Sequence, residues 1–369
     1  MYCRHKMKPL AYIVLSVMPL LADAGETKAF TREWVDQQWV AHLQWRLEHP
    51  ETHPVEIEVY CRDLLKTVPV EPATVDKLVE YYTLFRREPA MAAMAARYAR
   101  ILDPESPRAA QYWDQIEEAR TRRPKDPESD AFPGDAMLSY EQALSDAIEH
   151  LNHGKLVPCE NILRGILFNY PRHLEILKHL GSIYVMKSEW AMSTMVYSYA
   201  RELDADDTDL ANNYALCMDK IGRTSEALEI LHEQFERQPR AGYLAHNCGR
   251  LAMKLDRVEE ALDYYSRWVE HHPNSLDAWL SYGNVLILKD KDLFAQAAFA
   301  RAHDLDKRHP VALRRLAEIA ARRKRPKDLI KWVRRLKAEI PPAEFQLFLG
   351  QPIFDDQAAL KKEINREPR

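Results

Sequence analysis

The chain has 369 residues, of which 46% are hydrophobic and 29% charged, a composition that supports a buried core and excludes an intrinsically disordered protein. Glycine occurs only 10 times, which disfavours turn-rich β folds and glycine-rich nucleotide loops and favours a mostly helical protein. The formal net charge of −4 gives no overall attraction to nucleic acid or to an anionic membrane, so any such interaction would need a local basic surface.

The first 24 residues have the pattern of a secretory signal peptide. Three basic residues precede an apolar stretch from Pro9 to Leu21, and Ala22 and Ala24 then give the small-x-small order of a cleavage site. The apolar stretch has 13 residues, fewer than the roughly 20 that a membrane-spanning helix needs. We therefore expect cleavage after Ala24 and a secreted or periplasmic protein without stable membrane insertion. The alternative is a retained anchor or a misassigned start, which would leave the chain in the cytoplasm.

A period of 34 residues runs through the second half of the chain. Six consecutive windows, without insertions, begin at Tyr140, Leu174, Thr208, Gly242, Leu276 and Pro310. The eighth position is small in all six windows and the twentieth in five, which indicates two helices that approach closely. Four windows carry a proline near their end, where it would stop the second helix. Each window therefore predicts a helix, a short turn and a second helix.

These windows resemble the tetratricopeptide repeat family, most closely at 276–309, where Trp279, Tyr282, Gly283 and Phe299 are in register. The resemblance covers 204 of 369 residues. It implies an all-α fold: a right-handed helical-hairpin repeat solenoid with degenerate N-terminal helical repeats and a C-terminal capping segment. We predict a signal peptide at 1–24, an N-terminal helical segment with degenerate repeats at 25–120, a linker at 121–139, six repeat units at 140–343, and a cap and tail at 344–369.

The resemblance also implies a concave groove lined by the first helix of each unit. An asparagine side chain carries a donor and an acceptor on one planar group, so a run of asparagines can pair with successive peptide units of an extended ligand. The predicted groove residues are Lys178, Asn212, Asn213, Tyr243, His246, Asn247, Arg250 and Asn284. The leading prediction is a scaffold or adaptor of the cell envelope that binds a peptide or protein partner in this groove.

A basic segment lies near the end of the array. Residues 314–337 contain eleven Lys or Arg against two acidic side chains, a local net charge of +9. The candidate basic patch is Arg314, Arg315, Arg322, Arg323, Arg325, Lys331, Arg334 and Arg335. It supports an alternative function, a scaffold for an anionic polymer or surface, although a solvated outer helix face gives the same pattern. Trp332 is the one aromatic residue in the segment, which disfavours a nucleic-acid partner.

No pattern in the sequence indicates catalysis. HExxH, paired CxxC, glycine-rich phosphate and GxSxG motifs are all missing. We expect the four cysteines after Ala24 to be small buried residues. We therefore predict no enzymatic activity, no cofactor, no metal and no small-molecule substrate. A cytoplasmic assembly chaperone for secreted subunits is a further alternative, and the partner and the oligomeric state stay open.

Overall fold

The computed structural model describes residues 57–66, 70–86, 88–105, 110–111 and 134–354. Within these ranges the chain forms sixteen α-helices and no strand, in agreement with the predicted all-α fold. The predicted signal peptide, residues 25–56 of the N-terminal segment and the tail after residue 354 lie outside the described residues. The chain divides into two compact units between Ala205 and Asp206.

The first unit contains seven described α-helices. Helices α1 to α7 are Ile57–Leu64, Pro72–Glu80, Pro89–Leu102, Gly134–Asn152, Leu156–Asn169, Leu174–Met186 and Trp190–Leu203. A π-helical turn, Tyr81–Arg86, follows α2 directly.

The second unit contains nine described α-helices. Helices α8 to α16 are Thr208–Lys220, Thr224–Arg237, Gly242–Lys254, Val258–His271, Leu276–Leu288, Asp292–Leu305, Pro310–Arg322, Pro326–Glu339 and Pro342–Leu349. A short 3₁₀ turn, Pro352–Phe354, ends the described chain.

The helix boundaries confirm the predicted 34-residue register. From the window at Leu174 onward, each first helix begins at the first position of its window, and in all six windows the second helix begins at the seventeenth. The first window differs, because α4 begins at Gly134, so residues 134–139 of the predicted linker are helical. These six residues follow Pro133 and contain no further proline, so nothing in them interrupts the helix.

The turn inside each hairpin has a left-handed residue at the same position in every window. Its central residue, at the fifteenth position, has a positive φ at Gly154, Ser188, Gly222, Asp256, Asp290 and Lys324. Four of these six residues carry a side chain, which makes the left-handed conformation unfavourable. The packing of the two helices therefore imposes this conformation on the turn, whichever residue occupies it.

The C-terminal segment covers the last hairpin. Phe345, Phe348 and Phe354 are buried and belong to one cluster with Leu329 and Val333 of α15. This confirms the predicted cap as far as residue 354. Without it, the apolar side of the terminal helices would be exposed to water, which a repeat array avoids with a specialised end.

The N-terminal helices pack on the second helices of the first two hairpins. Helix α3 lies against α7 and also touches α5. In the same unit, Arg62 and Arg164 pair with four carboxylates of the two segments, of which those of Glu58 and Glu160 are buried. The predicted N-terminal segment is thus joined to the repeats by direct packing as well as by the chain between them.

Candidate functional site

In the second unit, polar side chains join α8 to α10, the first helices of two successive hairpins. The Tyr243 hydroxyl donates to Asp209 Oδ1 at 3.0 Å, and Asn247 Nδ2 donates to Asn212 Oδ1 at 2.8 Å. Tyr243 as a whole residue stays 42% exposed. Burial, followed by its hydrogen bond to Asp209, raises the pKa of Tyr243 to about 12, so the hydroxyl keeps its proton as a donor.

Asp219 forms the centre of the next contact. Its carboxylate is buried and accepts from Thr224 Oγ1 at 2.9 Å, Lys254 Nζ at 2.7 Å and Arg250 at 3.1 Å. Burial would raise the pKa of Asp219, but the hydrogen bonds from Lys254, Thr224 and Arg250 outweigh it and hold the pKa below its usual range. The Asp219 carboxylate thus orients Arg250 and Lys254, whose side chains remain 40% and 51% exposed, respectively.

His246 is a packed residue on the same helix. Its ring contacts Trp268 edge to face at 5.4 Å between centroids. Burial and the nearby charge of Arg250 lower the pKa of His246, so the imidazole is neutral at pH 7. Within the described residues, His246 Nδ1 and Asn284 Oδ1 are buried without a hydrogen-bond partner.

The structure brings together some of the predicted groove residues. Asn212 and Asn247 pair with each other, whereas Asn213 is exposed on α8. Lys178 belongs to the first unit, where its Nζ contacts Glu175 Oε1 of the same helix at 3.1 Å. The predicted set lacked Asp219 and Lys254. Both occupy solvent-facing positions of the repeat, but only the fold shows that the Asp219 carboxylate is buried and orients its two neighbours.

Seven of the eight residues of the predicted basic patch fall into two groups, and Arg334 belongs to neither. In the first group each guanidinium pairs with a carboxylate: Arg314 with Glu344, Arg315 with Glu318, Arg322 with Asp292 and Arg325 with Asp328. These pairs cancel most of the charge on that part of the segment. Arg334 is exposed on α15.

The second group is oriented by neutral partners. Arg323 donates to Gln296 Oε1 at 2.6 Å, and Lys331 Nζ lies 4.2 Å from the centre of the Trp332 ring. Arg335 donates to Nε2 of His303 at 2.8 Å. Burial and the charge of Arg335 lower the pKa of His303, which keeps this imidazole a neutral acceptor. These three cations are therefore held in place without losing their positive charge.

The cysteines and the residues that could bind a metal ion lie as follows. The four cysteines of the described residues, Cys61, Cys159, Cys217 and Cys248, are buried free thiols, as expected. Burial raises the pKa of Cys248 to about 12, which leaves little reactive thiolate. Across the described ranges, no three His, Cys, Asp or Glu side chains are grouped so as to hold a metal ion.

None of the described helices combines the length and the apolar character needed to cross a membrane.

No protein-family model matches the chain, and no curated protein sequence matches it. Among solved structures, the chain is similar to a tetratricopeptide repeat protein from Parabacteroides merdae, with 17% identity, a TM-score of 0.49, and coverage of 62% of this chain and 90% of that one. It is similar to pilF of Pseudomonas aeruginosa, with 17% identity, a TM-score of 0.46, and coverage of 57% and 96%. It is also similar to YrrB, described as a TPR protein with an unusual peptide-binding site, with 17% identity, a TM-score of 0.43, and coverage of 50% and 95%.

Proposed function

We propose that this chain, whose helices follow the tetratricopeptide repeat register, is a non-enzymatic scaffold that binds a peptide or protein partner. The binding surface would be the layer of first helices in the second unit, α8, α10 and α12. The main support for this proposal is the arrangement of Arg250 and Lys254. The buried Asp219 orients both cations, and both remain partly exposed to solvent.

Preorganisation is the physical reason why this layer suits a ligand. Ordering a long side chain on binding costs about 0.5–1.5 kcal/mol, and Asp219 has already restricted Arg250 and Lys254. Tyr243 is likewise held by Asp209 with its ring partly exposed. A peptide with carbonyl or carboxylate acceptors would therefore meet donors that already point in fixed directions.

We also propose that the protein acts outside the cytoplasm, since residues 1–24 follow the order of a signal peptide. Sequencing the N terminus of the protein from its native host tests this location. A mature chain that begins at Gly25 is the expected result, and a chain that retains residues 1–24 would overturn the proposal.

Binding is tested by crosslinking in the native cell fraction, followed by affinity measurement with peptides from the captured protein. The test variant is Asn213→Ala with Asn247→Ala, and the matched control removes two exposed asparagines elsewhere, Asn161→Ala with Asn274→Ala. We expect the test variant to lose about tenfold in affinity, equal to about 1.4 kcal/mol, and the control to stay within about twofold. Equal binding by both variants would exclude the first-helix layer.

A second candidate function is the binding of an anionic polymer. It is favoured by the neutral partners of Arg323, Lys331 and Arg335, which leave three oriented cations uncompensated. With heparin as the probe, Lys331→Gln with Arg335→Gln should weaken binding strongly, and binding should fall steeply between low and moderate salt. The control Arg315→Gln with Arg325→Gln makes the same charge change at paired residues, and an equal loss there would exclude a specific site.

A further inference from the structure

The sequence of residues 57–103 resembles that of residues 159–204. At an offset of 102 residues, which is three periods of 34, the identical pairs include Glu58 and Glu160, Arg62 and Arg164, Leu65 and Leu167, and Tyr82 and Tyr184. From residue 88 onward the offset becomes 101, and nine of the sixteen residues at 88–103 are identical to those at 189–204. Helices α3 and α7 both have 14 residues and end at equivalent aspartates with nearly the same backbone angles.

The two copies contact each other reciprocally. Arg62 donates to Glu160 Oε1 at 2.8 Å, and its equivalent Arg164 donates to Glu58 Oε1 at 2.6 Å. The Tyr82 hydroxyl donates to Glu58 at 3.1 Å, and the Tyr184 hydroxyl donates to Glu160 at 3.1 Å. The Arg62–Glu160 pair therefore has a counterpart with the roles of the two copies exchanged, whereas the Arg97–Glu202 pair has none, because the equivalent residues are Ser198 and Ile101.

A second pair of carboxylates follows the same exchange. Arg62 also pairs with Glu189, and Arg164 pairs with Glu88 at 2.7 Å, where Glu88 and Glu189 are equivalent residues. Each guanidinium also lies over the tyrosine ring of the other copy, Arg62 over Tyr184 at 5.3 Å and Arg164 over Tyr82 at 5.5 Å.

The contact of α3 with α7 marks the centre of this arrangement. Arg97 Nε donates to the carbonyl oxygen of Ser198 at 3.0 Å, and Ser198 is the equivalent of Arg97 itself. A residue that contacts its own equivalent lies near a two-fold axis, as in the isologous interface of a symmetric dimer. Within the first unit, the N-terminal helices thus occupy the place that a second copy of α5 to α7 would take.

We propose that the face formed by α5 and α7 is a self-association surface, which helices α1 to α3 cover within the same chain and which binds a second copy of this chain when these helices are displaced. The charged groups of the reciprocal pairs are present in the repeats themselves, and the one pair that a second copy would lack is that of Arg97 with Glu202, since Ser198 replaces Arg97. Arg164 would meet Glu160 and Glu189 of the second copy, as Arg62 meets them now, and the reverse contacts would form by symmetry. The buried Met192, Met195 and Tyr199 of α7 would supply the apolar part of the contact.

The test displaces the N-terminal helices in the full-length chain and leaves the repeats intact. The releasing variant combines Glu58→Arg and Arg62→Glu, which place like charges opposite Arg164 and Glu160, with Met94→Glu at a buried position of α3. Light scattering coupled to size-exclusion chromatography should give a monomer for the wild type and a dimer, with twice the mass, for the releasing variant. Adding Arg164→Ala with Glu189→Ala removes charged groups of the proposed surface without creating a partner for Glu58→Arg or Arg62→Glu, and should restore the monomer.

A crosslink identifies the interface directly. Because residue 198 lies near the pseudo-axis, Ser198→Cys in the releasing variant should form a disulfide between two chains on oxidation, whereas Ser266→Cys on α11 should not. Hydrogen exchange of the backbone amides of α1 in the releasing variant would show whether α1 has been displaced. A releasing variant in which the amides of α1 exchange freely but which stays monomeric would overturn the proposal, as would a dimer that persists with Arg164→Ala and Glu189→Ala. Neither result bears on the peptide-binding layer of the second unit.

Discussion

The ring of Phe299 lies directly over the backbone of Gly283, so close that a Cβ at residue 283 would be 2.7 Å from Phe299 Cζ. These residues occupy the eighth and twenty-fourth positions of one window, and the same contact joins Gly181 to Tyr197 and Gly249 to Tyr265. The three windows with alanine at the eighth position carry an aliphatic residue at the twenty-fourth: Ala147 with Leu163, Ala215 with Leu231 and Ala317 with Val333. The two positions therefore share one volume, and a larger residue at one requires a smaller residue at the other.

This volume sharing predicts compensation between two substitutions. Gly283→Ala should destabilise the second unit by about 1–2 kcal/mol, because overpacking outweighs the gain in helix propensity. Phe299→Leu alone should also destabilise it, by leaving a cavity. The double variant recreates the pairing of Ala215 with Leu231, so its loss in urea denaturation should be smaller than the sum of the single losses by about 1 kcal/mol. Strict additivity would contradict the shared volume.

Two glycines should respond to alanine in opposite directions. Gly222 has a φ of 89° in the hairpin turn, which an alanine adopts only with strain, so Gly222→Ala should lower stability by about 1 kcal/mol. Gly165 lies exposed within α5 with no neighbouring atom near its Cβ direction, so Gly165→Ala should raise stability by up to about 1 kcal/mol. Chemical denaturation of both variants checks the signs, and a loss for Gly165→Ala would contradict the open space around it.

The helical register could be predicted from the sequence because the residues that pack together within one hairpin lie within a single window of 34 residues. The turn positions, the small eighth residue and the end cap all follow from local spacing. The contacts of Arg62 and Arg164 could not be predicted in this way, because they join residues 98 and 106 positions apart. The identity at an offset of 102 residues was the available signal for them, although it does not reveal that the two copies pack against each other.

Asp219 should control the geometry of the proposed binding layer without touching the partner. Asp219→Ala removes the acceptor of Thr224, Arg250 and Lys254, and should cost about 1–3 kcal/mol of stability. The pKa of Asp219 is lower in the folded than in the unfolded protein. The stabilisation by Asp219 is therefore present above about pH 4, and it is lost as the pH falls below the pKa of the unfolded carboxyl. Calorimetry with a captured peptide should show weaker binding with a larger entropic cost. Asp219→Asn, which retains one acceptor, should show an intermediate effect.

The ionic cluster of the first unit should make its stability depend on acidic pH. Burial alone would raise the pKa of Glu160, but Arg62 and Lys187 outweigh burial and lower it to about 2, from an ordinary value near 4.5. Since the folded pKa lies below the unfolded one, the stabilisation is complete above pH 5 and is lost as the pH falls towards 2. Glu160→Gln should cost about 3–5 kcal/mol at pH 7, because Arg62 and Lys187 lose a buried partner.

Hydrogen exchange of α5 and α7 between pH 6 and pH 3, corrected for intrinsic rates, measures this dependence locally. Opening should become easier for the wild type as the pH falls, and the variant should show a smaller change because it lacks the titrating carboxyl. Glu175→Gln on α6 serves as the control, since Glu175 is exposed and pairs only along its own helix. If Glu160→Gln kept the full pH dependence of the wild type, another group would be responsible for the acid sensitivity of the first unit.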